Sequence, residues 1–232
     1  MSPFSRQTGT RSSRRKPRGR PNFLDLKSSA LVHFSNIAHQ VAYPGGAIIF
    51  KEGTSADGIY LVCLGRVKLF ATSSDGHRMI LKIAGPGDVL GLSATLNALP
   101  HEVTAQTLVP CNFKHIGERL FLKFLESHAE AGYLTALTLA KEHREVFLGA
   151  RRLALSPTAS ARIAQILIEL AVKEAAPRFP MELTHAELAN LAGTSRETVT
   201  RLLNQFERDG IIARDDSNLT ILERSQLEKL AN

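Results

Sequence analysis

The chain has 232 residues, 44% apolar and 22% charged, long enough to bury a sizeable core in one large or two small domains. Its longest apolar run, Ile59 to Leu64, is far short of the ~20 residues of a membrane helix, and no stretch near the start has the make-up of a signal peptide. Cys63 and Cys111 stand far apart, which excludes a disulfide framework and a CxxC metal or cluster site, so a cytoplasmic protein is expected.

The net charge of +7 belongs to the first residues. Seven basic and no acidic side chains lie in residues 1–20, leaving 22 of each sign in the rest. Residues 1–21 are rich in Ser, Arg, Gly and Pro, too poor in apolar surface to fold alone, and are expected to form a disordered basic tail. Such a tail adds at most a weak, salt-sensitive attraction to phosphates.

A β-roll or barrel is expected within residues 22–127. Nine of the sixteen glycines fall between Gly45 and Gly91, separating the β-type runs Ala47–Phe50, Ile59–Leu64, Arg66–Thr72, Met79–Ile83 and Val89–Leu92. Asp75-Gly76 between two of these runs signals a hairpin, because both residues tolerate positive φ. Cys63 lies in an apolar strand and Cys111 is read as ending one, so both are taken as core residues.

Residues 128–155 read as one long helix. Ala129, Gly132, Ala136, Leu139, His143, Val146, Ala150 and Leu153 alternate spacings of three and four, the seam of a coiled coil that wants a partner helix. A homodimer is expected from it, against the alternative that the helix packs only on its own β domain. His143 is read as a polar residue setting register. Ser156-Pro157-Thr158 then breaks the helix, since the proline ring cannot continue the ladder.

Residues 156–232 are expected to be mostly helical. A helix from Ala161 to about Lys173 carries the stripe Ile163, Ile166, Leu167 and Leu170, and Ala175 to Pro180 reads as a connector. Two short helices follow, the first opened by a capping box of Thr184 with Glu187 and the second by one of Thr194 with Glu197. Gly193 separates them, Gly210 ends the second, and Ile211–Arg214 with Leu219–Leu222 form a small hairpin. Two capped helices around a glycine turn, followed by a β wing, are the pattern of a winged helix-turn-helix.

On the second helix Val199, Leu202, Leu203 and Phe206 share the inner face, which places Arg196, Glu197, Thr200 and Arg201 on the outer one. Arg is bidentate to guanine and Glu accepts from the amino group of cytosine, so this face is suited to base edges. Thr184, His185, Thr194 and Ser195, at the two helix starts, are expected to meet backbone phosphate and set register.

The string LTHAELANLAGTSRETVTRLLNQFERDGII resembles the DNA-binding motif of the cyclic-AMP receptor protein and fumarate–nitrate regulator (CRP/FNR) family. Pro44-Gly45-Gly46, Glu52-Gly53, Gly65-Arg66-Val67, Asp75-Gly76 and Gly85-Pro86-Gly87-Asp88 resemble its cyclic-nucleotide-type β-roll. The resemblance covers roughly residues 22–225 and implies an α+β protein: a cyclic-nucleotide-binding-like β-roll, a long dimerisation helix and a C-terminal winged helix-turn-helix. It implies a homodimeric transcription regulator that binds double-stranded DNA, answers to a small-molecule effector and contacts RNA polymerase. It also implies a GTGA-like half-site, because Arg196, Glu197 and Arg201 stand in the order in which the cyclic-AMP receptor protein reads TGTGA. The fumarate–nitrate regulator, which reads TTGAT, lacks the leading Arg.

The effector position departs from the family pattern. Members that bind cyclic AMP carry a Gly-Glu pair after the Gly-Asp turn and an Arg-Ser or Arg-Thr pair some ten residues on; here these places read Gly91-Leu92-Ser93 and His101-Glu102-Val103-Thr104. A carboxylate where a phosphodiester needs a cation repels it. On the central helix a Thr-Ser pair for the base is replaced by Phe147-Leu148. The pocket of Gly91, Leu92, Ser93, Glu102, Val103 and Thr104 is therefore expected to disfavour cyclic AMP and to take an unknown, non-nucleotide effector, or none. An iron–sulfur cluster on four cysteines fails by count, and no HxxxH or HExxH pair signals a metal.

Enzyme readings find no support. Gly85-Pro86-Gly87-Asp88-Val89-Leu90-Gly91 has the outline of a dinucleotide loop, but its last spacing is one too long, and there is neither a P-loop nor a GxSxG elbow. The alternative of a ligand-binding module whose C-terminal helices contact a protein leaves the base-reading order of Arg196, Glu197 and Arg201 without a purpose.

Overall fold

The glycine-cornered runs close into two antiparallel sheets in the computed structural model, which describes residues 23–26, 28–215 and 217–231. The basic tail expected over 1–21 lies outside the described residues. The strands are β1 (His39–Tyr43), β2 (Ile48–Phe50), β3 (Gly58–Leu64), β4 (Val67–Thr72), β5 (Arg78–Ala84), β6 (Val89–Leu90), β7 (Thr104–Thr107) and β8 (Cys111–Gly117). One sheet runs β1-β8-β3-β6 and the other β2-β7-β4-β5. Between them Phe50, Tyr60, Val62, Val67, Leu90, Ala105 and Phe113 form the roll's core. Gly65 makes the corner between β3 and β4 at φ +94°, where an added Cβ would stand 2.4 Å from Cys111 Sγ and 2.6 Å from the Pro110 carbonyl oxygen.

Several expectations are corrected. The run at Val89 ends at Leu90, and Leu92 opens a short helix, α2 (Leu92–Asn97), after Gly91 at φ +76°; helix α1 (Ser28–Ile37) precedes the roll. Cys111 begins β8 instead of ending a strand, and Glu118–Ser127 is helix α3. Of the Asp75-Gly76 pair only Gly76 takes positive φ. The β4–β5 turn spans residues 73–77, closed by the Ser73 N–H donating to the His77 carbonyl at 2.9 Å.

The alternation of β3 and β8 gives this sheet two apolar faces. Ile59, Leu61 and Ile116 point outward and are covered by Phe23, Phe34, Phe121, Phe124, Ala131 and Leu134 from the N-terminal segment, α3 and the start of the long helix α4 (Ala129–Leu155). At 1.5 Å per residue these 27 residues span about 40 Å. In its first half Ala131, Leu134, Thr135 and Thr138 are buried against the helix's own domain. The seam residues are not: Ala136, His143, Val146 and Ala150 are exposed, and Leu139 and Leu153 are half-buried.

Pro157 ends α4 as expected. Thr158 caps α5 (Ala159–Glu174), its Oγ1 accepting the Ala161 N–H at 3.1 Å. There follow β9 (Arg178–Pro180), α6 (His185–Ala192), α7 (Arg196–Arg208), β10 (Ile212–Arg214), β11 (Asn218–Ile221) and α8 (Arg224–Ala231). The segment read as a connector thus supplies the third strand of the wing, in the order β10-β11-β9. Helix α8 was not foreseen; it packs through Leu227 into a core of Ile163, Ile166, Leu167, Phe179, Leu188, Val199, Leu203 and Phe206.

This C-terminal domain is docked on the roll through the β4–β5 hairpin. Phe70 and Ile80 enter its core. Arg66 binds Glu174 at 2.7 Å and Glu182 at 2.5 Å, and Lys68 binds Glu187 at 2.7 Å. A register shift between Leu69 and Phe70 pairs Leu69 with Lys82 but Phe70 with Ile80, making Leu81 a one-residue bulge. One face of the hairpin therefore carries Lys68, Phe70 and Ile80 against the C-terminal domain, while Leu69, Leu81 and Lys82 face a cavity on the other side.

Candidate nucleic-acid interface and effector cavity

Helix α7 is fixed by packing on one side and by caps at both ends. Ser195, not Thr194, is its N-cap: Ser195 Oγ accepts the Thr198 N–H at 3.2 Å, and no Thr194–Glu197 box forms. At its other end the Gly210 N–H donates to the Glu207 carbonyl and the Ile211 N–H to the Phe206 carbonyl, a Schellman motif with Gly210 at φ +68°. Val199, Leu202, Leu203 and Phe206 are buried. Arg196, Glu197 and Arg201 are exposed and form no ion pair among the described residues, and Thr200 is half-buried beside them. Asn204 and Arg208 extend the same stripe, lining one shallow groove with the four expected readers; the four-residue steps Thr200, Asn204 and Arg208 are the signal that could have found them.

The capping box at α6 forms as expected. Thr184 Oγ1 accepts the Glu187 N–H at 3.2 Å, and Glu187 returns a carboxylate oxygen to the Thr184 N–H at 3.0 Å. The same carboxylate holds Lys68. Burial pushes Glu187 up, but Lys68 and the Thr184 N–H outweigh it and hold the group below the usual carboxylate range. A negative side chain in the first turn would oppose a phosphate there, and Lys68 neutralises it. The His185 ring turns inward, Nδ1 lying 2.8 Å from Thr200 Oγ1. Burial, then the cations Arg214 and Arg196, push its pKa down.

The turn between the two helices favours glycine. Gly193 sits at φ +59°, and an added Cβ would come within 2.9 Å of Leu153 Cδ2. Arg162 braces the turn, donating to the Ala192 carbonyl at 2.6 Å, the Gly193 carbonyl at 3.3 Å and the Ser156 carbonyl at 2.9 Å. The turn that precedes α7 is thereby tied to the end of α4. The wing is set by Arg214, which donates to Glu207 at 2.6 Å and to Asn204 at 2.7 Å.

Five of the six residues expected at the effector position line a cavity of about 630 Å³: Gly91, Leu92, Ser93, Glu102 and Val103. Thr104 stands apart, its hydroxyl accepting the Glu52 N–H at 3.1 Å. The opposite wall is helix α4 itself, through Leu139, Glu142, His143, Val146, Phe147 and Ala150. Phe147 therefore faces the cavity as expected, whereas Leu148 lines a groove near the hinge. Leu69, Leu81, Leu90 and Phe50 make the remaining wall largely apolar.

One cation does reach the cavity, which the sequence reading missed. Lys82 is only 8% exposed, and its ammonium is shared among Asp88 at 3.8 Å, Glu142 at 3.2 Å and Glu145 at 3.3 Å. Burial works against its charge, and the three carboxylates together raise its pKa above the ordinary value. Asp88 is pushed up by burial, but Lys82, the Lys141 ammonium at 2.6 Å and the Gly85 N–H hold it low. Glu142 goes the other way: burial raises it further than Lys82 pulls it down. Glu102, the other wall carboxylate, accepts from Ser93 at 2.9 Å.

Comparison with known proteins places both halves. Residues 40–128 match the cyclic nucleotide-binding domain, and residues 161–230 match the Crp-like helix-turn-helix domain. The cyclic AMP receptor protein of Thermus thermophilus is 30% identical over 189 residues, 82% of this chain and 86% of its own. A solved structure of the c-di-GMP responsive global regulator CLP of Xanthomonas campestris superposes with a TM-score of 0.71 at 26% identity, covering 83% of this chain and 97% of that one. FixK2 of Bradyrhizobium japonicum shares the fold, with a TM-score of 0.77 at 23% identity over 84% and 98% of the two chains.

Proposed function

The chain belongs to the CRP/FNR family of DNA-binding transcription regulators, and on that premise we propose that it acts as a homodimer reading an inverted repeat with a GTGA-like core. The observation that carries the site assignment is the exposed trio Arg196, Glu197 and Arg201, without an ion pair among the described residues, on a helix whose opposite face is buried. Two arginines free to fork onto guanine and a carboxylate between them in the chain match the G, C and G contacts that the core requires. Thr184, Thr194 and Ser195 with the His185 backbone lie at the two helix starts, where phosphate contacts fix register without reading sequence. Two-fold symmetry then places the half-sites about one helical turn apart.

The partner helix is α4 of a second copy. Its seam leaves Ala136, Val146 and Ala150 uncovered by their own domain, and Phe147 beside them is 61% exposed. Because the same helix forms a wall of the cavity, whatever enters the cavity bears on the dimer seam. The effector is a non-nucleotide, or the protein binds DNA without one. The wall's charge supports this reading against a cyclic phosphodiester: Lys82 is already shared among three carboxylates, and Glu102 adds a fourth negative group. RNA polymerase is the partner that a DNA-bound regulator of this family would meet.

Selection from random DNA tests the reading. Enrichment of an inverted repeat with a GTGA core supports it. Enrichment of no palindrome, or of one lacking that core, refutes the assignment of the reading residues.

A further inference from the structure

Thr200 lies among the readers, yet its hydroxyl is occupied. It donates to the Arg196 carbonyl one turn back at 3.0 Å. A hydroxyl has one hydrogen, so the 2.8 Å contact with His185 Nδ1 is made by the ring N–H donating to Thr200 Oγ1. The Nδ1–H tautomer of a neutral His185 satisfies both contacts, and burial, Arg214 and Arg196 favour the neutral ring. Thr200 therefore has no proton to offer a base acceptor, and two anchors hold its χ1. What it keeps for the DNA is its methyl group and one Oγ1 lone pair, on a stripe shared with Arg196, Glu197, Arg201 and Asn204; the hydroxyl's two contacts, to its own helix backbone and to α6, favour the methyl as the group presented.

We propose that Thr200 is a specificity-determining residue that reads a thymine through the thymine C5-methyl group, and that His185 is the positioning residue that turns it to do so. Methyl against methyl is the apolar form of base readout. It differs from a hydrogen bond in being blind to every feature of thymine that uracil shares. The inference rests on α7 being the reading helix.

The test uses the full-length protein and the duplex returned by selection from random DNA, with each thymine of the half-site replaced in turn by deoxyuridine. Binding is followed by fluorescence anisotropy. At one position the unmodified protein should lose about fourfold in affinity on uracil, the worth of one buried methyl group. Thr200→Ser, which keeps the hydroxyl and removes the methyl, should abolish that ratio; Thr200→Val, which keeps a methyl, should retain it. His185→Phe, which removes the ring donor, should reduce the ratio while the preference for the guanines persists. Equal binding of thymine and uracil at every position, or a ratio unchanged in Thr200→Ser, overturns the proposal, and a ratio unchanged in His185→Phe overturns the positioning role. A selection that returns no palindrome overturns the assignment of α7 and this inference with it, so the two failures are told apart by the first step.

Discussion

Replacing Lys82 by Met removes the one buried cation that lines the cavity among the described residues and leaves its carboxylates behind. At 3.2 Å and an effective dielectric of ~20, the Lys82–Glu142 attraction is about 5 kcal/mol. Much of that is offset by returning an ammonium to water, which an apolar side chain no longer has to resist. The three partners then differ. Asp88 keeps Lys141 and the Gly85 N–H. Glu145, 37% exposed, is screened by solvent and can turn to water. Glu142, with a side chain 22% exposed, is the group left stranded, so the net loss should be about 3 kcal/mol, the lower end for breaking a buried pair. Its pKa is already raised in the folded state, and a carboxyl whose folded pKa exceeds its unfolded one gains stability as the pH falls towards the unfolded value. The variant raises it further. Urea unfolding at pH 7.5 should therefore show the full loss and at pH 5.5 a smaller one, and Lys82→Met with Glu142→Gln should recover most of the deficit at pH 7.5. A loss under about 1 kcal/mol at pH 7.5, or no recovery in the double variant, refutes this account of the charge network.

Val146→Asp, placing a charge on the α4 seam, should yield monomers in sedimentation; a monomer for the unmutated protein at micromolar concentration, even with DNA present, would end the dimer proposal. Arg201→Ala should weaken DNA binding by roughly 1–3 kcal/mol and relax the preference at one guanine, measured against a panel of single-base variants of the selected site. Gly193→Ala must take φ +59° and meet Leu153, so thermal unfolding should show a destabilisation of about 1–3 kcal/mol. Calorimetry with cyclic AMP and cyclic GMP should register no micromolar binding, and a micromolar isotherm for either would overturn the non-nucleotide reading.

Elements that announce themselves through backbone chemistry were legible in the sequence. Pro157 and Thr158 mark the break after α4, Gly76 the hairpin, and Gly193 with the Thr184–Glu187 box the reading motif. What escaped depends on partners distant in the chain. β1 pairs with β8 across some seventy residues and is mostly exposed or half-buried, so it carries little hydrophobic alternation of its own. α8 buries only Leu227 deeply. Thr194–Glu197 satisfied the capping pattern one residue early because Thr194 still closes α6, its N–H donating to the Ala189 carbonyl, and Ser195 offers the same kind of oxygen one residue on. Lys82 was missed for a different reason: a lysine in a β run reads as solvent-facing, and only the bulge at Leu81, invisible to a period of two, turns it toward the cavity.

On the function proposed above, the ion pair between Lys68 and Glu187 would make DNA itself a modulator of the sensor. While the two domains are docked, the carboxylate in the first turn of α6 is neutralised where a phosphate is to approach. Separated from the roll, it would face that phosphate alone. Docking and DNA binding thus favour each other, and reciprocity requires that DNA strengthen the docking by the factor that docking strengthens DNA binding. Because the β4–β5 hairpin that supplies Lys68 also walls the cavity with Leu69, Leu81 and Lys82, a change in docking on DNA binding would also change the cavity offered to a ligand. The affinity of an effector for this protein is then a property of the protein–DNA state, and a titration performed without DNA measures only one corner of the thermodynamic cycle.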